Sequence, residues 1–226
     1  MPFASAAMWI KGGLVYLAAL AVLMLVFFVP AGTLDYWQAW AYIAVVMVPA
    51  TFVILYFMVT DPEFMMRRMK YREKEKQQKS VIGVSWIIFV IGFILPGLDR
   101  RLGWSNVPTE FVIAADALVL ISYLFVFWVF RENRYAARTI EVEKGQKVIS
   151  TGPYSVIRHP MYVGTLLMYL STPIALGSYW ALPPFLLMIP VIAYRILNEE
   201  EVLLRELPGY KEYCQKTRYR LIPFVW

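Results

Sequence analysis

The sequence is poor in the residues that staple or metal-anchor a chain: one cysteine, Cys214, and one histidine, His159, in 226 residues. A single thiol excludes an internal disulfide framework, and one histidine without a cysteine cluster supplies no donor set for zinc, so no metal site is expected. Charge is scarce as well. Asp, Glu, Lys and Arg make up 17% of the chain, against about a quarter in an ordinary soluble domain. In their place the chain is 60% hydrophobic and 16% aromatic, with a mean hydropathy of +0.55. That balance predicts an all-α polytopic membrane protein with about five to six transmembrane helices.

The apolar runs set the spans. Gly12 to Pro30 carries no charge and approaches the ~20 residues that cross a bilayer core, longer than the apolar run of a signal peptide, so it is expected to be a retained span. A hairpin turn over 31–35 leads to a second span from about Tyr36 to Thr60, with Tyr36, Trp37 and Trp40 where an interfacial aromatic belt belongs. Residues 61–80 are strongly charged. Phe64, Met65, Met66 and Met69 there are expected to form the apolar side of a short interfacial helix, in a segment that is either a docking site for anionic lipid or a solvated topogenic loop. A third span is expected over Val81–Leu98 and a fourth over Phe111–Phe130. The fourth contains Asp116, an acid whose position reads either as structural or water-exposed or as functional. From Met161 to Tyr194 two shorter apolar runs, interrupted by Pro173, Pro183, Pro184 and Pro190 and separated by Gly177-Ser178-Tyr179, predict a hairpin that enters the membrane and returns.

The net charge of +6 is explained by placement. All but two of the 22 basic residues fall on one side of this topology, Arg100 and Arg101 being opposite. The positive-inside rule then puts the N-terminus, the 61–80 loop, residues 131–159 and the C-terminal tail in the cytosol, with no need to invoke nucleic acid. The expected division is four N-terminal spans in residues 1–130 and a C-terminal core in 131–226, with the hairpin and a cytosolic tail.

Between a charged segment and an apolar one lies Gly152-Pro153-Tyr154-Ser155-Val156-Ile157-Arg158-His159-Pro160-Met161-Tyr162-Val163-Gly164. Pro153 and Pro160 fix φ and bias the residues before them toward extended conformations, so this run is a shaped entry into a helix beginning near Pro160. A helix N-terminus presents unpaired N–H groups and suits an anionic ligand. The hairpin returns the chain to the side it left, so Arg158, His159 and Tyr162 enter the membrane where Arg195, Glu199 and Glu200 leave it. Arg195, Glu199 and Leu203 are spaced four apart and share a helix face. On spacing alone, Arg195 and Glu199 read equally as a surface ion pair, and Tyr154 and Tyr162 as interfacial aromatics.

The run Gly-Pro-Tyr-x-x-x-Arg-His-Pro-x-Tyr-x-Gly, followed by Glu199-Glu200-x-x-Leu203, Tyr210-x-x-Tyr213 and Arg220-Leu-Ile-Pro223, resembles the isoprenylcysteine carboxyl methyltransferase family and its phospholipid methyltransferase relatives. The resemblance covers about the last 80 residues. It implies a membrane enzyme using S-adenosyl-L-methionine, with the cofactor pocket in the C-terminal half and facing the cytosol. It also implies a hydrophobic or lipid-linked small-molecule acceptor, with no nucleic acid and no metal. The resemblance makes Arg195 the substrate contact and Glu199 its partner at the cofactor. Cofactor-binding candidates are Val148, Thr151, Gly152, Tyr154, Arg158, His159, Pro160, Tyr162, Gly164, Glu199 and Glu200. A carboxylate acceptor is ionised at neutral pH and needs no base, so His159 reads as a cofactor contact or orienting group. O-methylation of an isoprenylcysteine-like carboxylate is the leading expectation. N-methylation of phosphatidylethanolamine is the alternative, and a transporter or scaffold without chemistry is a third reading. The tail after Pro208 is expected to cover the pocket.

Overall fold

The computed structural model describes residues 5–68, 76–136 and 142–226, with no side-chain description for 76–79. The helices, in order, are α1 (Ala6–Ala31), α2 (Trp37–Thr60), α3 (Pro62–Arg68), α4 (Lys76–Leu102), α5 (Thr109–Glu132), α6 (Pro160–Ala175), α7 (Leu182–Leu186), α8 (Met188–Glu206) and α9 (Tyr210–Lys216), with a 3₁₀ turn at Gly152–Ser155. Among the described residues there is no β-sheet, only a single parallel bridge between Ile157 and Tyr219. Five stretches are long and apolar enough to span: Ala6–Ala31, Trp37–Thr60, Ser80–Leu102, Thr109–Glu132 and Leu182–Glu206. The protein is an all-α polytopic membrane protein. Leu14, Leu25, Phe52, Trp86, Ile121 and Trp128 point outward and exposed, the arrangement expected where lipid rather than water covers the surface.

Helix pairing follows from small residues and aromatics. α5 packs along α6, and α1 along α4. A Cβ on Gly164 would come within 2.6 Å of Val126 Cγ2 and 3.3 Å of the Ser122 carbonyl, so only glycine allows α5 and α6 this close. Phe27, Tyr42, Ala115, Val119 and Ala175 fill the core between α1, α2, α5 and α6.

The end of the bundle away from the Gly152–Gly164 run is tied by Asp99. Its buried carboxylate accepts from the Ser105 amide at 2.7 Å, the Ser105 hydroxyl at 2.6 Å and the Ser178 hydroxyl. That grip holds the turn between α6 and α7. α6 has 16 residues, ~24 Å at the helical rise, and is not among the five long apolar helices. The hairpin therefore has one short and one full-length arm.

Several sequence expectations change. The third span continues through Asp99, Arg100 and Arg101 to Leu102, because nothing after Leu98 breaks a helix before Gly103, which takes φ +65°. Tyr36 does not join the aromatic belt. It is 1% exposed and donates to the Leu176 carbonyl, while Trp37 and Trp40 stay about 44% exposed. Phe64 does not face lipid but is buried against Phe57 and Phe130; Met69 lies outside the described residues. Asp116 is buried in α5, and its Oδ1 has no hydrogen-bond partner, which excludes the water-exposed reading.

Candidate active site

The chain reaches the site through the 3₁₀ turn. Gly152 has φ +54°, and a Cβ there would come within 2.9 Å of Glu132 Cδ, so the turn packs directly on the end of α5. Pro153 is the second residue of the turn, and Pro160 occupies the first position of α6, where its missing N–H costs nothing. The segment between them is bound by the tail: the Arg158 amide donates to the Tyr219 carbonyl and the His159 amide to that of Arg220, each at 2.9 Å.

Glu199 and Glu200, adjacent on α8, point in different directions. Glu200 is buried, and its Oε1 accepts from Arg158 Nε at 2.6 Å and lies 3.2 Å from His159 Nε2. Its Oε2 accepts from Arg220 Nε at 2.7 Å. Arg158 also donates through Nη1 to the carbonyls of Thr217 and Arg218. A carboxylate ionised between two guanidiniums only accepts, so His159 Nε2 must carry the proton.

Glu199 takes part in a second array. Tyr162 donates its hydroxyl proton to Glu199 Oε2 at 2.6 Å and accepts from Arg195 Nε at 2.9 Å. One phenol therefore links the two α8 residues that stand four apart.

Both arrays border a cavity of about 840 Å³, including its mouth, within the roughly 300–1,000 Å³ range of small-molecule sites. Val148, Tyr154, Arg158, His159, Tyr162, Arg195, Glu199 and Leu203 line it, together with Asn133, Tyr135, Gln146, Lys147, Met161, Leu207, Tyr210 and Tyr213. Arg195, Glu199 and Leu203 thus show the common face that their spacing predicts. Thr151, Gly152, Pro160, Gly164 and Glu200 are not in the lining. Gly152, Pro160 and Gly164 shape the backbone, and Glu200 grips its cations behind the wall.

Asn133, Tyr135 and Gln146 were not legible as site residues, because no motif marks the segment after α5. Tyr210 and Tyr213 belong to the motif run yet carried no assigned role. The tail beyond Thr217 does not cover the cavity; it braces Arg158, His159 and Glu200 from behind. Arg220 also stacks over the Trp226 ring at 5.3 Å.

Buried phenols give this end of the cavity neutral donors. Burial pushes the Tyr213 hydroxyl up to about 12 and the Tyr154 hydroxyl well above its ordinary value. Tyr213 donates to the Tyr154 carbonyl at 2.6 Å, and the Tyr154 oxygen accepts from Asn133 Nδ2 at 3.0 Å. No cluster of three metal-ligating side chains occurs among the described residues.

Five long apolar helices with a charged, aromatic-lined cavity at one end define a polytopic membrane protein with a candidate small-molecule site. Residues 111–209 match the phospholipid methyltransferase family model, in agreement with the family resemblance read from the motifs. The Delta(14)-sterol reductase TM7SF2 of Mus musculus is 31% identical over 91 residues, which are 39% of this chain and 22% of that protein. The nickel-cobalt-cadmium resistance protein NccN of Alcaligenes xylosoxydans xylosoxydans is 31% identical over 106 residues, 45% of this chain and 48% of that one. The cobalt-zinc-cadmium resistance protein CzcN of Cupriavidus metallidurans is 33% identical over 136 residues, 58% and 57% of the two chains. The chain thus spans from about a fifth to just over half the length of these curated relatives. Among solved structures, the eukaryotic intramembrane Ras methyltransferase ICMT (isoprenylcysteine carboxyl methyltransferase) overlaps 93% of this chain and 75% of its own, at 20% identity and a TM-score of 0.43.

Proposed function

We propose that this protein is an integral membrane methyltransferase that uses S-adenosyl-L-methionine to O-methylate the carboxylate of an isoprenylcysteine-like or other hydrophobic acceptor. Residues 1–130 serve as its membrane scaffold and 131–226 as its core, with the cavity and both termini on the cytosolic side. One observation carries the reading: Arg195 and Glu199, joined through the Tyr162 hydroxyl, face the same cavity. The cavity thereby offers a cation for an acceptor carboxylate and an anion for a positively charged cofactor.

The donor set fits that cofactor. Its contacts would be Val148, Tyr154, Arg158, His159, Tyr162 and Glu199, and the lining mixes aromatic faces with charged and neutral hydrogen-bonding groups, as a charged nucleoside requires. The bound sulfonium would supply an activated methyl group and its own leaving group. The protein's part is alignment: Arg195 holds and orients the acceptor carboxylate, Tyr162 fixes Arg195 and Glu199 relative to each other, and the apolar wall of Met161, Leu203 and Leu207 excludes water. No proton needs to move. Thr151, Gly152, Pro160, Gly164 and Glu200 support the site through the backbone and through Arg158 and His159.

Phospholipid N-methylation is the second reading, favoured by the family that residues 111–209 match. An amine acceptor must lose a proton, which would turn Glu199 into a base. A curated relative is named for sterol reduction, so the assay must detect methyl transfer itself. The purified protein is to be titrated with S-adenosyl-L-methionine and then given a prenylcysteine carboxylate or phosphatidylethanolamine. Binding followed by ester formation is expected; binding followed by methylated amine moves the assignment to the phospholipid, and no binding refutes both.

A further inference from the structure

The segment after Arg220 is a closed loop with an apolar tip. The Trp226 carbonyl accepts from the amides of Arg220, Leu221 and Ile222, and the Ile222 carbonyl accepts from those of Val225 and Trp226. Within this loop Phe224 is the only non-glycine residue with a positive φ, +66°, among the described residues. A bulky side chain takes that conformation only where surrounding contacts impose it, and here the closed backbone does so. The result is a fixed display: Ile222, Phe224 and Val225 are 56%, 88% and 76% exposed.

The loop is seated on helices long and apolar enough to span. Leu221 is buried in a cluster with Ile88 of α4, Tyr162 of α6 and Ile192 and Ile196 of α8, and Trp226 packs against it. Ile88, Ile192 and Ile196 all lie inside the stretches Ser80–Leu102 and Leu182–Glu206. A turn or less along the same helices, Val84, Ile87 and Leu197 are themselves exposed, as lipid-facing positions are. Just before the loop, Lys216 and Arg218 are exposed. An apolar tip rimmed by cations, beside the lipid-covered flank of two helices, has the chemistry of a segment that lies in a bilayer interface with anionic headgroups.

We propose that the loop 221–226 is a membrane-interface anchor whose tip, Ile222, Phe224 and Val225, enters the boundary between headgroups and acyl chains in the leaflet nearest the cavity. The anchor goes beyond the methyl-transfer reading and does not depend on it. Its base is bonded to the site: the amides of Arg158 and His159 donate to the carbonyls of Tyr219 and Arg220, and Arg220 holds Glu200. The loop thereby ties that buried ion cluster to the bilayer surface.

The test uses the whole chain in a Cys214→Ser background, which leaves no other thiol. Phe224→Cys and, as a control on the exposed face of α9, Lys211→Cys are each labelled with the fluorophore NBD. Both proteins are placed in nanodiscs of phosphatidylcholine and phosphatidylglycerol in equal amounts, which leave both faces open to solvent. Phosphatidylcholine carrying a nitroxide at the top of its acyl chain is expected to quench the label at 224 about threefold more strongly than the label at 211, and aqueous iodide to quench it less. Iodide quenching as strong at 224 as at 211, without an excess from the lipid nitroxide, overturns the anchor. Protection of 224 from both quenchers overturns it as well, and assigns the tip to a second copy or another segment. Replacing so exposed a side chain removes no core contact; if the Phe224→Cys protein still fails to reconstitute, Val225→Cys is read by the same criteria.

Discussion

Arg195 and Tyr162 are where the chemistry is most open to test at the scale of single residues. A guanidinium grips a carboxylate with two parallel N–H groups, whereas an ammonium is a point charge. Arg195→Lys is therefore expected to lose methyl transfer almost as completely as Arg195→Ala, with little change in cofactor affinity in either. An amine acceptor reverses the expectation, because its protonated form is repelled by a neighbouring cation. Wild-type activity in Arg195→Ala would transfer the assignment to N-methylation. Tyr162→Phe removes the hydroxyl shared by Arg195 and Glu199. Hydrogen bonds to charged groups contribute about 1.5–3 kcal/mol, so kcat/KM is expected to fall by on the order of 10- to 100-fold. Unchanged kcat/KM in Tyr162→Phe would show that Arg195 and Glu199 are held without it. The divergence of Glu199 and Glu200 was not legible from their adjacency, since the sequence does not say which of two neighbouring carboxylates finds a cavity and which finds Arg158, His159 and Arg220.

At the scale of elements, the α5–α6 contact and the α9 docking set the stability of the site. Gly164→Val would drive a Cβ into Val126 and Phe125. Overpacking of this kind costs about 1–3 kcal/mol, so a lower melting temperature in detergent is expected, and an unchanged melt would mean that the two helices are not as close as described. Gly164 was read from the sequence as a cofactor contact, because a motif run does not separate residues that touch a ligand from those that let helices meet. The tyrosines of the site give a pH dependence. Tyr213 is raised to about 12 in the folded protein, whereas an unfolded tyrosine titrates near ~10. The folded state therefore binds more protons across that interval, and its stability falls as pH rises. The contribution is complete below pH ~10 and is lost between ~10 and ~12. A melting temperature that declines over this window in wild type and less steeply in Tyr213→Phe is the expected result.

For the whole molecule, the proposed orientation predicts which side each end faces. Asn106 lies in the exposed loop between α4 and α5, and Lys211 is exposed on α9. In a Cys214→Ser background, Asn106→Cys is expected to react with an impermeant thiol reagent only from the non-cytosolic side, and Lys211→Cys only from the cytosolic side. The reverse pattern would move the cavity to the opposite face of the membrane. The amino-acid sequence by itself determined the long apolar helices, the α6–α8 hairpin and the run of residues that borders the cavity. These follow from local hydrophobicity and from proline and glycine placement, which need no partner to take effect. Only the tertiary structure decided that Tyr36 and Phe64 are buried, that the turn after α6 is tied to Asp99, that the tail braces the site from behind, and that Glu199 lines the cavity while Glu200 anchors Arg158. Consecutive helical residues differ by about 100° in direction, and it is the packing of other elements around α8 that puts Glu199 on the cavity lining and Glu200 against Arg158, His159 and Arg220.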